Sequence, residues 1–149
     1  MIEQGLCTGN TELSLVNQYQ CSPLIGCFSI VDSDHVVPWL ILSDGDGSRS
    51  KGFKAEWSTV QGDKLVVGGL GKEWTTQTGE ILNHDPMWVK EISCDGGVKH
   101  VNWRDHYTAV RESVGITWPG YMIHEAVCWS SVRQVILTSD WSIIMNTDL

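Results

Sequence analysis

The sequence predicts an all-β protein, and three features of its 149 residues support this fold class. Short apolar runs alternate with turn-forming Gly and Asp residues along most of the chain, as in strands joined by tight turns. The chain has eight tryptophans, a residue type that favours strands and packs well across a sheet. Hydrophobic residues make up 42% and charged residues 19%, a composition that excludes a disordered tail, a collagen or a coiled coil.

The first strands follow directly from this pattern. Residues 36–43 form an apolar run that predicts a buried strand, and Pro38 within it requires a sheet edge or a bulge. The Asp-Gly-Asp-Gly sequence at 44–47 predicts a turn, because Asp and Gly tolerate positive φ. It is not a calcium loop of the EF-hand type, because the twelfth position of such a loop would be Ala55 instead of glutamate. Residues 56–68 predict a hairpin, and the alternation along 87–93 predicts a further strand.

One helix is predicted near residues 103–114. Asn102 is a suitable N-cap, with Asp105 three residues later as in a capping box. Gly115 suits the position just after the helix C-terminus. The residues at helical spacing, which should share one apolar face, are Trp103, Tyr107, Val110 and Val114.

Two of the predicted hairpins begin beside a glutamate. Glu56 precedes the first, and Glu125 lies in the run 122–129, which predicts a second hairpin together with 132–138. A glutamate among apolar residues is rarely buried without a partner, which could be a lysine such as Lys54 or a metal ion. Repeated sheet units that each offer one carboxylate favour a radial β fold with the acids facing a shared axis. An ordinary salt bridge is the alternative for each glutamate.

A glycine-rich turn at 68–71 delivers Lys72 and Trp74 to one region of the protein. Lysine can bind phosphate as a point charge, and a tryptophan ring offers a face on which a nucleobase can stack. The turn is not a P-loop, because Glu73 follows the lysine where that motif requires Ser or Thr. A simple turn with a surface lysine is the alternative.

Charge and cysteine content exclude several classes of function. The net charge is −8 and no segment is strongly basic, so we do not expect a nucleic-acid partner. No apolar run approaches the roughly 20 residues of a membrane span, and no signal peptide is recognisable after Met1. The five cysteines form no CxxC pair, which disfavours zinc and thioredoxin-like sites. Cys27 and Cys128 lie among apolar residues and are expected to be inert core residues.

Five motifs in a fixed order give the sequence a family resemblance. They closely resemble the calcium-activated nucleotidases of the apyrase family, and the resemblance covers roughly residues 30–130. Because several motifs match at consistent spacing, the resemblance is specific, although any one motif alone would not be. The motifs are residues 37–47 (VPWLILSDGDG), 51–57 (KGFKAEW), 67–75 (VGGLGKEWT), 86–90 (PMWVK) and 119–130 (PGYMIHEAVCWS).

The resemblance implies a five-bladed β-propeller that hydrolyses nucleoside di- and triphosphates, with UDP and GDP favoured in the vertebrate branch. It implies Ca²⁺ on the propeller axis, held by glutamates and serines, and Glu56 and Glu125 match two of those glutamates. Lys72 and Trp74 resemble the nucleotide-contacting pair of the family. Family members work in the endoplasmic reticulum, in the Golgi or outside the cell, whereas the compartment of this chain is not predicted.

The chain also departs from the family pattern. Residues 1–29 and 131–149 read as divergent segments, and paired acids expected upstream of the match are missing from 16–24. Five blades need about 200 residues or more, so we expect an incomplete segment of about two to three blades with one inserted helix. No catalytic residue is predicted. The alternative function is therefore a non-catalytic propeller fragment that binds calcium or another protein, with self-association possible through open blade edges.

Overall fold

A computed structural model describes residues 16–22, 25–32, 35–139 and 142–144, with side chains for 39–134 and 136. This part of the chain contains strands, one α-helix and a short 3₁₀ turn at Asp85–Met87. The elements are β1 (Val16–Ser22), β2 (Ile25–Asp32), β3 (His35–Leu42), β4 (Trp57–Gln61), β5 (Lys64–Gly68), β6 (Trp74–Thr75), β7 (Ile81–Asn83), β8 (Trp88–Ser93), β9 (Val98–Asn102), α1 (Arg104–Ser113), β10 (Tyr121–Ile123), β11 (Ala126–Ser130), β12 (Val135–Ser139) and β13 (Ser142–Ile144).

The strands form separate antiparallel sheets, which confirms the all-β class with one helix. A four-stranded sheet has the order β4-β5-β8-β9, and a three-stranded sheet has the order β1-β2-β3. Three further pairs are β6–β7, β10–β13 and β11–β12. Neighbouring strands in the four-stranded sheet run antiparallel in chain order, with the β6–β7 hairpin inserted between β5 and β8. The number of propeller blades stays a prediction.

Two local predictions about turns and bulges are confirmed. Gln61 pairs with Lys64 across a two-residue loop, and Gly62 has a φ of +63°, as expected at the first loop position of a type II′ turn. Pro38 lies in β3, at the edge of its sheet. The register of β3 against β2 shifts beside this proline, between Phe28 and Ser29, which is the predicted bulge.

The four-stranded sheet is buried on both faces. In β5, Leu65 and Val67 pack into one apolar cluster, whereas Val66 between them packs into another. Successive side chains of a strand point to opposite faces, so this single strand contributes to both clusters. The first cluster consists of Leu42, Phe53, Leu65, Val67 and Ile92. The second consists of Trp57, Val66, Met87, Val89, Tyr107 and Val127, and it contains the helix contact.

The helix α1 forms where it was predicted, but its buried face differs. The N-cap residue of α1 is Trp103 and not the predicted Asn102, and no side-chain cap or capping box with Asp105 forms there, although Asn102 Oδ1 accepts a hydrogen bond from the Arg104 N–H at 3.0 Å. Tyr107 and Arg111 are the buried residues of the helix, while Val114 is 55% exposed at its end. The predicted apolar face was therefore wrong at its C-terminal end, because an ion pair described below draws Arg111 inward.

The helix end follows the predicted glycine chemistry. Gly115 has a φ of +81°. Its N–H donates to the Glu112 carbonyl oxygen at 2.9 Å, and the next N–H, of Ile116, donates to Arg111 at 3.2 Å. These two bonds are those of a Schellman motif. No helix in the described residues is long and apolar enough to cross a membrane.

The second predicted hairpin exists, but its first strand was placed wrongly. Residues 122–123 belong to β10, which pairs with β13, and β11 begins only at Ala126. The break falls at His124 and Glu125. The His124 N–H donates to the Leu70 carbonyl oxygen at 3.1 Å, so this part of the backbone bonds to a loop instead of continuing the strand.

Candidate functional site

The loop formed by residues 68–71, called the glycine loop below, is packed so closely at two of its glycines that a side chain there would not fit. A Cβ atom added at Gly68 would lie 2.0 Å from the ring of Trp57. A Cβ at Gly71 would lie 2.6 Å from the rings of Tyr107 and His124, and Gly71 has a φ of +71°. The two positions therefore require glycine for close approach and, at Gly71, also for backbone conformation.

The glycine loop connects the two predicted metal-ligand positions through backbone hydrogen bonds. The Glu56 N–H donates to the Gly68 carbonyl oxygen at 2.9 Å, and His124, which precedes Glu125, donates to the Leu70 carbonyl oxygen at 3.1 Å. Strands β4 and β11 are in contact, and the Trp129 N–H donates to Thr59 Oγ1 at 2.8 Å. Residues that are far apart in the sequence are thus carried by two strands that begin at one loop.

Glu56 has a partly buried carboxylate beside a lysine. Its side chain is 20% exposed, and Lys54 Nζ lies 2.7 Å from Oε1. This is the ordinary salt bridge that the sequence left open as the alternative. The Oε1 atom is buried and makes no hydrogen bond of good geometry, while the Lys54 side chain is 57% exposed. Lys54 is thus the cation that faces Glu56 in this structure.

Glu125 is exposed at the start of β11, directly after the buried His124. Across the described side chains, no group of three or more His, Cys, Asp or Glu residues is placed to hold a metal ion. Glu56 and Glu125 thus remain two candidate ligands, each directly before one of two neighbouring strands, and their role stays a prediction.

Lys72 and Trp74 follow the glycine loop, and each takes part in a cation–π contact with a different partner. Lys72 Nζ lies 4.4 Å from the ring centroid of Tyr121. Trp74 is 42% exposed, and Lys51 Nζ lies 4.6 Å from its ring centroid. A cation over a tryptophan face and a second cation nearby in the chain are suited to a phosphorylated aromatic ligand. The geometry therefore adds Lys51 to the region, a residue that is not predicted from the sequence and whose Nζ also donates to Asp44 Oδ2 at 2.9 Å.

The residue between Lys72 and Trp74 forms the most buried ion pair of the described region. Arg111 Nη1 donates to Glu73 Oε1 at 3.1 Å and to Oε2 at 2.9 Å, and each side chain is 7% exposed. From the sequence alone, Glu73 served only to exclude a P-loop, and its ion pair was not predicted. The spacing of four residues between Tyr107 and Arg111 was a usable signal, because it places both on one helix face.

An apolar cleft of about 360 Å³ lies between α1 and the β4 and β11–β12 strands. Ring centroids of Trp103 lie 5.8 Å from Trp57 and 5.9 Å from Tyr107. Burial raises the pKa of Tyr107 well above its usual range, and a weak interaction with Trp57 opposes this rise. The phenol and the indole N–H make no hydrogen bond of good geometry. This side of the glycine loop is thus lined mainly by aromatic and apolar side chains.

Lys90, predicted only as part of an alternating strand, is buried completely. Its ammonium group donates to the Gly45 carbonyl oxygen and contacts His100 Nδ1 at 2.9 Å, 4.8 Å from the Phe53 ring centroid. Burial lowers its pKa to about 8, against the opposing charges of Asp44, Asp46 and Asp85. Lys90 therefore holds the acidic turn at 44–47 through the Gly45 carbonyl group.

The cysteines differ from the expectation. Cys128 is an exposed free thiol, so the prediction that it is an inert core residue was wrong. It lies in β11, whose burial alternates with Val127 inside and Cys128 outside. Cys94 is disulfide-bonded. The Cys27 side chain lies outside the described side chains.

A sequence model of the apyrase family matches residues 20–138 of this chain. The chain belongs to the apyrase family. The match confirms the resemblance and extends past the block 30–130 at both ends, whereas the division of this apyrase-family chain at residues 29 and 130 stays a prediction.

Individual relatives agree with the family match. Soluble calcium-activated nucleotidase 1 of Rattus norvegicus is 51% identical over 116 residues, which are 78% of this chain and 29% of the relative. Apyrase apy-1 of Caenorhabditis elegans is 49% identical over 116 residues, 78% of this chain and 33% of that protein. The apyrase of Cimex lectularius is 53% identical over 105 residues, 70% of this chain and 29% of that protein. The chain thus spans about three tenths of the length of these curated relatives.

Proposed function

We propose that this apyrase-family chain is part of a calcium-dependent hydrolase of nucleoside di- and triphosphates such as UDP and GDP, which releases phosphate. The observation that carries the proposal is the glycine loop. It bonds to the backbone beside Glu56 and Glu125 and leads directly into Lys72 and Trp74. Two carboxylates suited to a hard cation thus lie at or beside backbone groups that bond to this loop, and a lysine for phosphate and an aromatic face for a base follow it in the chain. The names of the relatives, nucleotidase and apyrase, agree with this chemistry.

The described residues fit a calcium ion as part of its ligand set. Glu56 Oε1 is a buried carboxylate oxygen whose cationic neighbour, Lys54 at 2.7 Å, is mostly exposed, and Glu125 offers a second carboxylate directly before β11. Calcium takes six to eight oxygen ligands, so the remaining ones would be water, carbonyl groups or residues beyond the described part. When bound, the ion would supply positive charge that organises the phosphates electrostatically. The name of the relative from Rattus norvegicus, which includes "calcium-activated", agrees with this assignment.

The residues of this chain would hold the nucleotide around that charge. Lys72 would turn from the Tyr121 ring to offset phosphate charge, since a cation–π contact at the surface is worth only about 0.5–1 kcal/mol. Trp74 is exposed enough for its ring to stack on a base, and Lys51 already lies over that ring. We assign no general base within the described residues.

The disulfide at Cys94 supports a compartment for the proposed enzyme. Disulfides persist in oxidising environments and are rare in the cytosol. We therefore propose that the chain works in the lumen of the endoplasmic reticulum or Golgi, or outside the cell. Labelling of free thiols before and after reduction, on protein from cells, tests this step. Full labelling of Cys94 without reduction would contradict it.

Phosphate release from UDP and GDP, measured with the purified chain over a calcium titration, tests the activity. We expect release that depends on calcium and falls at least about tenfold in Glu56→Gln and in Glu125→Gln, because each removes a charged ligand. Glu112→Gln is the matched control, since Glu112 is an exposed glutamate in the last turn of α1. No release above that of the Glu56→Gln, Glu125→Gln double variant would favour the alternative, a non-catalytic fragment.

Measuring the KM for nucleotide and the calcium dependence separately distinguishes the roles of Lys72 and Trp74 from those of the metal ligands. We expect Lys72→Ala and Trp74→Ala to raise the KM for UDP while the calcium concentration at half-maximal activity stays unchanged. Trp118→Ala serves as the control for Trp74, because Trp118 is equally exposed, at 41%. Unchanged KM in both variants would remove these residues from the proposed nucleotide site.

A further inference from the structure

The ion pair of Glu73 and Arg111 joins the nucleotide-contact segment to the helix. Arg111 lies in the last turn of α1, and both carboxylate oxygens of Glu73 accept hydrogen bonds from its Nη1 atom. Both side chains are 7% exposed, so water competes little for these bonds. The segment that carries Lys72 and Trp74 is thus tied to α1 at the residue between them.

Burial alternates along this segment. Gly71 and Glu73 are buried, Lys72 is half-buried and Trp74 is exposed. Lys72 lies at a bend and Trp74 begins β6, and both directly flank Glu73, so the direction of the Glu73 side chain restricts the orientation of its two neighbours. A side chain held by two charged hydrogen bonds has little freedom to rotate. The ion pair therefore limits rotation of the segment about its own axis.

The helix that carries Arg111 is held in place by the core and by the hydrogen bonds at its C-terminus. Tyr107, one turn before Arg111, packs into the second core cluster and touches the position where Gly71 leaves no room for a side chain. The Schellman bonds close the helix end directly after Arg111. The backbone that carries Arg111 is therefore held by the core on one side and by the helix end on the other.

We propose that Arg111 is a positioning residue, which through Glu73 holds Lys72 and Trp74 in the orientation that receives the nucleotide. The inference rests on the proposed function for that pair. A buried ion pair is a weak source of stability, because desolvation offsets its attraction and an apolar pair is often as stable. Precise orientation of a substrate-binding segment is a benefit that an apolar pair would not give.

The test compares a double variant, Glu73→Gln with Arg111→Met, with the wild-type chain. Removing both charges together avoids leaving one buried and unpaired. We expect a folded protein with a similar melting temperature and a KM for UDP raised about tenfold, because loss of preorganisation affects binding geometry. Calcium affinity should stay unchanged. Arg111→Lys, which keeps the charge, should recover part of the nucleotide affinity. The control, Ile92→Val, makes a small cavity in the opposite core cluster.

Hydrogen exchange of the amides of residues 72–75 gives a readout that does not need substrate. We expect exchange there to accelerate in the double variant, and not in Ile92→Val, because the segment loses its anchor. Unchanged exchange at 72–75 in a folded double variant would overturn the positioning role, as would an unchanged KM where wild type is active. A wild-type chain that binds no nucleotide would instead defeat the proposed function, while exchange still decides whether Arg111 anchors the segment.

Discussion

Replacement of Lys90 by methionine should change how the stability of the protein depends on pH. Methionine keeps most of the length of the lysine stem but removes the ammonium group. In the folded protein this group is completely buried, and burial lowers its pKa from 10.5 to about 8. The unfolded chain exposes the same lysine to water, where the pKa returns to its ordinary value.

The sign follows from the proton balance. Below about pH 8 the group is protonated in both states, and the buried charge opposes folding. Above about pH 8 the folded protein releases the proton while the unfolded chain keeps it, so stability rises with pH until about pH 10.5. Between about pH 8 and about pH 9.5 the rise should reach at most about 2 kcal/mol.

The groups around Lys90 contribute little to this window. His100 is its neighbour at 2.9 Å, and burial, followed by the charge of Lys90, lowers the pKa of His100 below its ordinary value. The carboxylates of Asp44, Asp46 and Asp85 are the facing acids, and their charges oppose the lowering of the Lys90 pKa by burial. The change above about pH 8 at this site therefore belongs to the lysine.

Urea unfolding followed by tryptophan fluorescence measures the effect. The quantity of interest is the difference in unfolding free energy between wild type and Lys90→Met, taken at several pH values, because titration of other groups cancels in it. Lys64→Met is the matched control, since the Lys64 side chain is 49% exposed in a surface ion pair with Glu91. A Lys90 difference that stays constant within about 0.5 kcal/mol over this range would refute a depressed lysine pKa.

Three further predictions use other parts of the structure. In thermal denaturation, Gly71→Ala should destabilise the protein by more than about 1 kcal/mol, because the new Cβ would lie 2.6 Å from the Tyr107 ring. The control is Gly79→Ala, which should cost less because Gly79 has a φ of +85° but open space around it. Equal losses in the two variants would contradict the role of close packing at Gly71. Cys128 should react with a thiol reagent in the folded protein, and Cys128→Ser should abolish that signal; absence of reaction before unfolding would mean that this thiol is buried. Tyr107→Phe should leave the phenolate absorbance of the folded protein unchanged up to about pH 11, because burial raises the Tyr107 pKa well above its usual range.

Prediction from sequence succeeded where local chemistry decides the structure. The Gly62 turn, the bulge at Pro38 and the glycine end of α1 each depend on backbone preferences of one or two residues, and all three were confirmed. It failed where a distant partner decides. Strand β11 begins at Ala126 because the His124 backbone bonds to Leu70, 54 positions earlier in the chain. No pattern within residues 122–129 could reveal that bond.

The candidate site divides in the same way. Glu56, Glu125, Lys72 and Trp74 were selected from motifs, and their roles remain predictions. Glu73 and Arg111 were not selected, because a charged residue is normally exposed and its burial becomes visible only when its partner is placed beside it.

The sequence by itself determined the all-β class, the position of helix α1, the main turns and membership of the apyrase family. These properties reside in residue types and in short-range spacing, so the order of letters is sufficient to show them. Only the tertiary structure decided that the glycine loop bonds to the backbone at both Glu56 and His124, that Glu73 faces inward, and that Lys90 is buried beneath an acidic turn. Each of these features depends on contacts between residues that are far apart in the chain. The free energy of such contacts depends on burial and distance, and only the folded arrangement sets both.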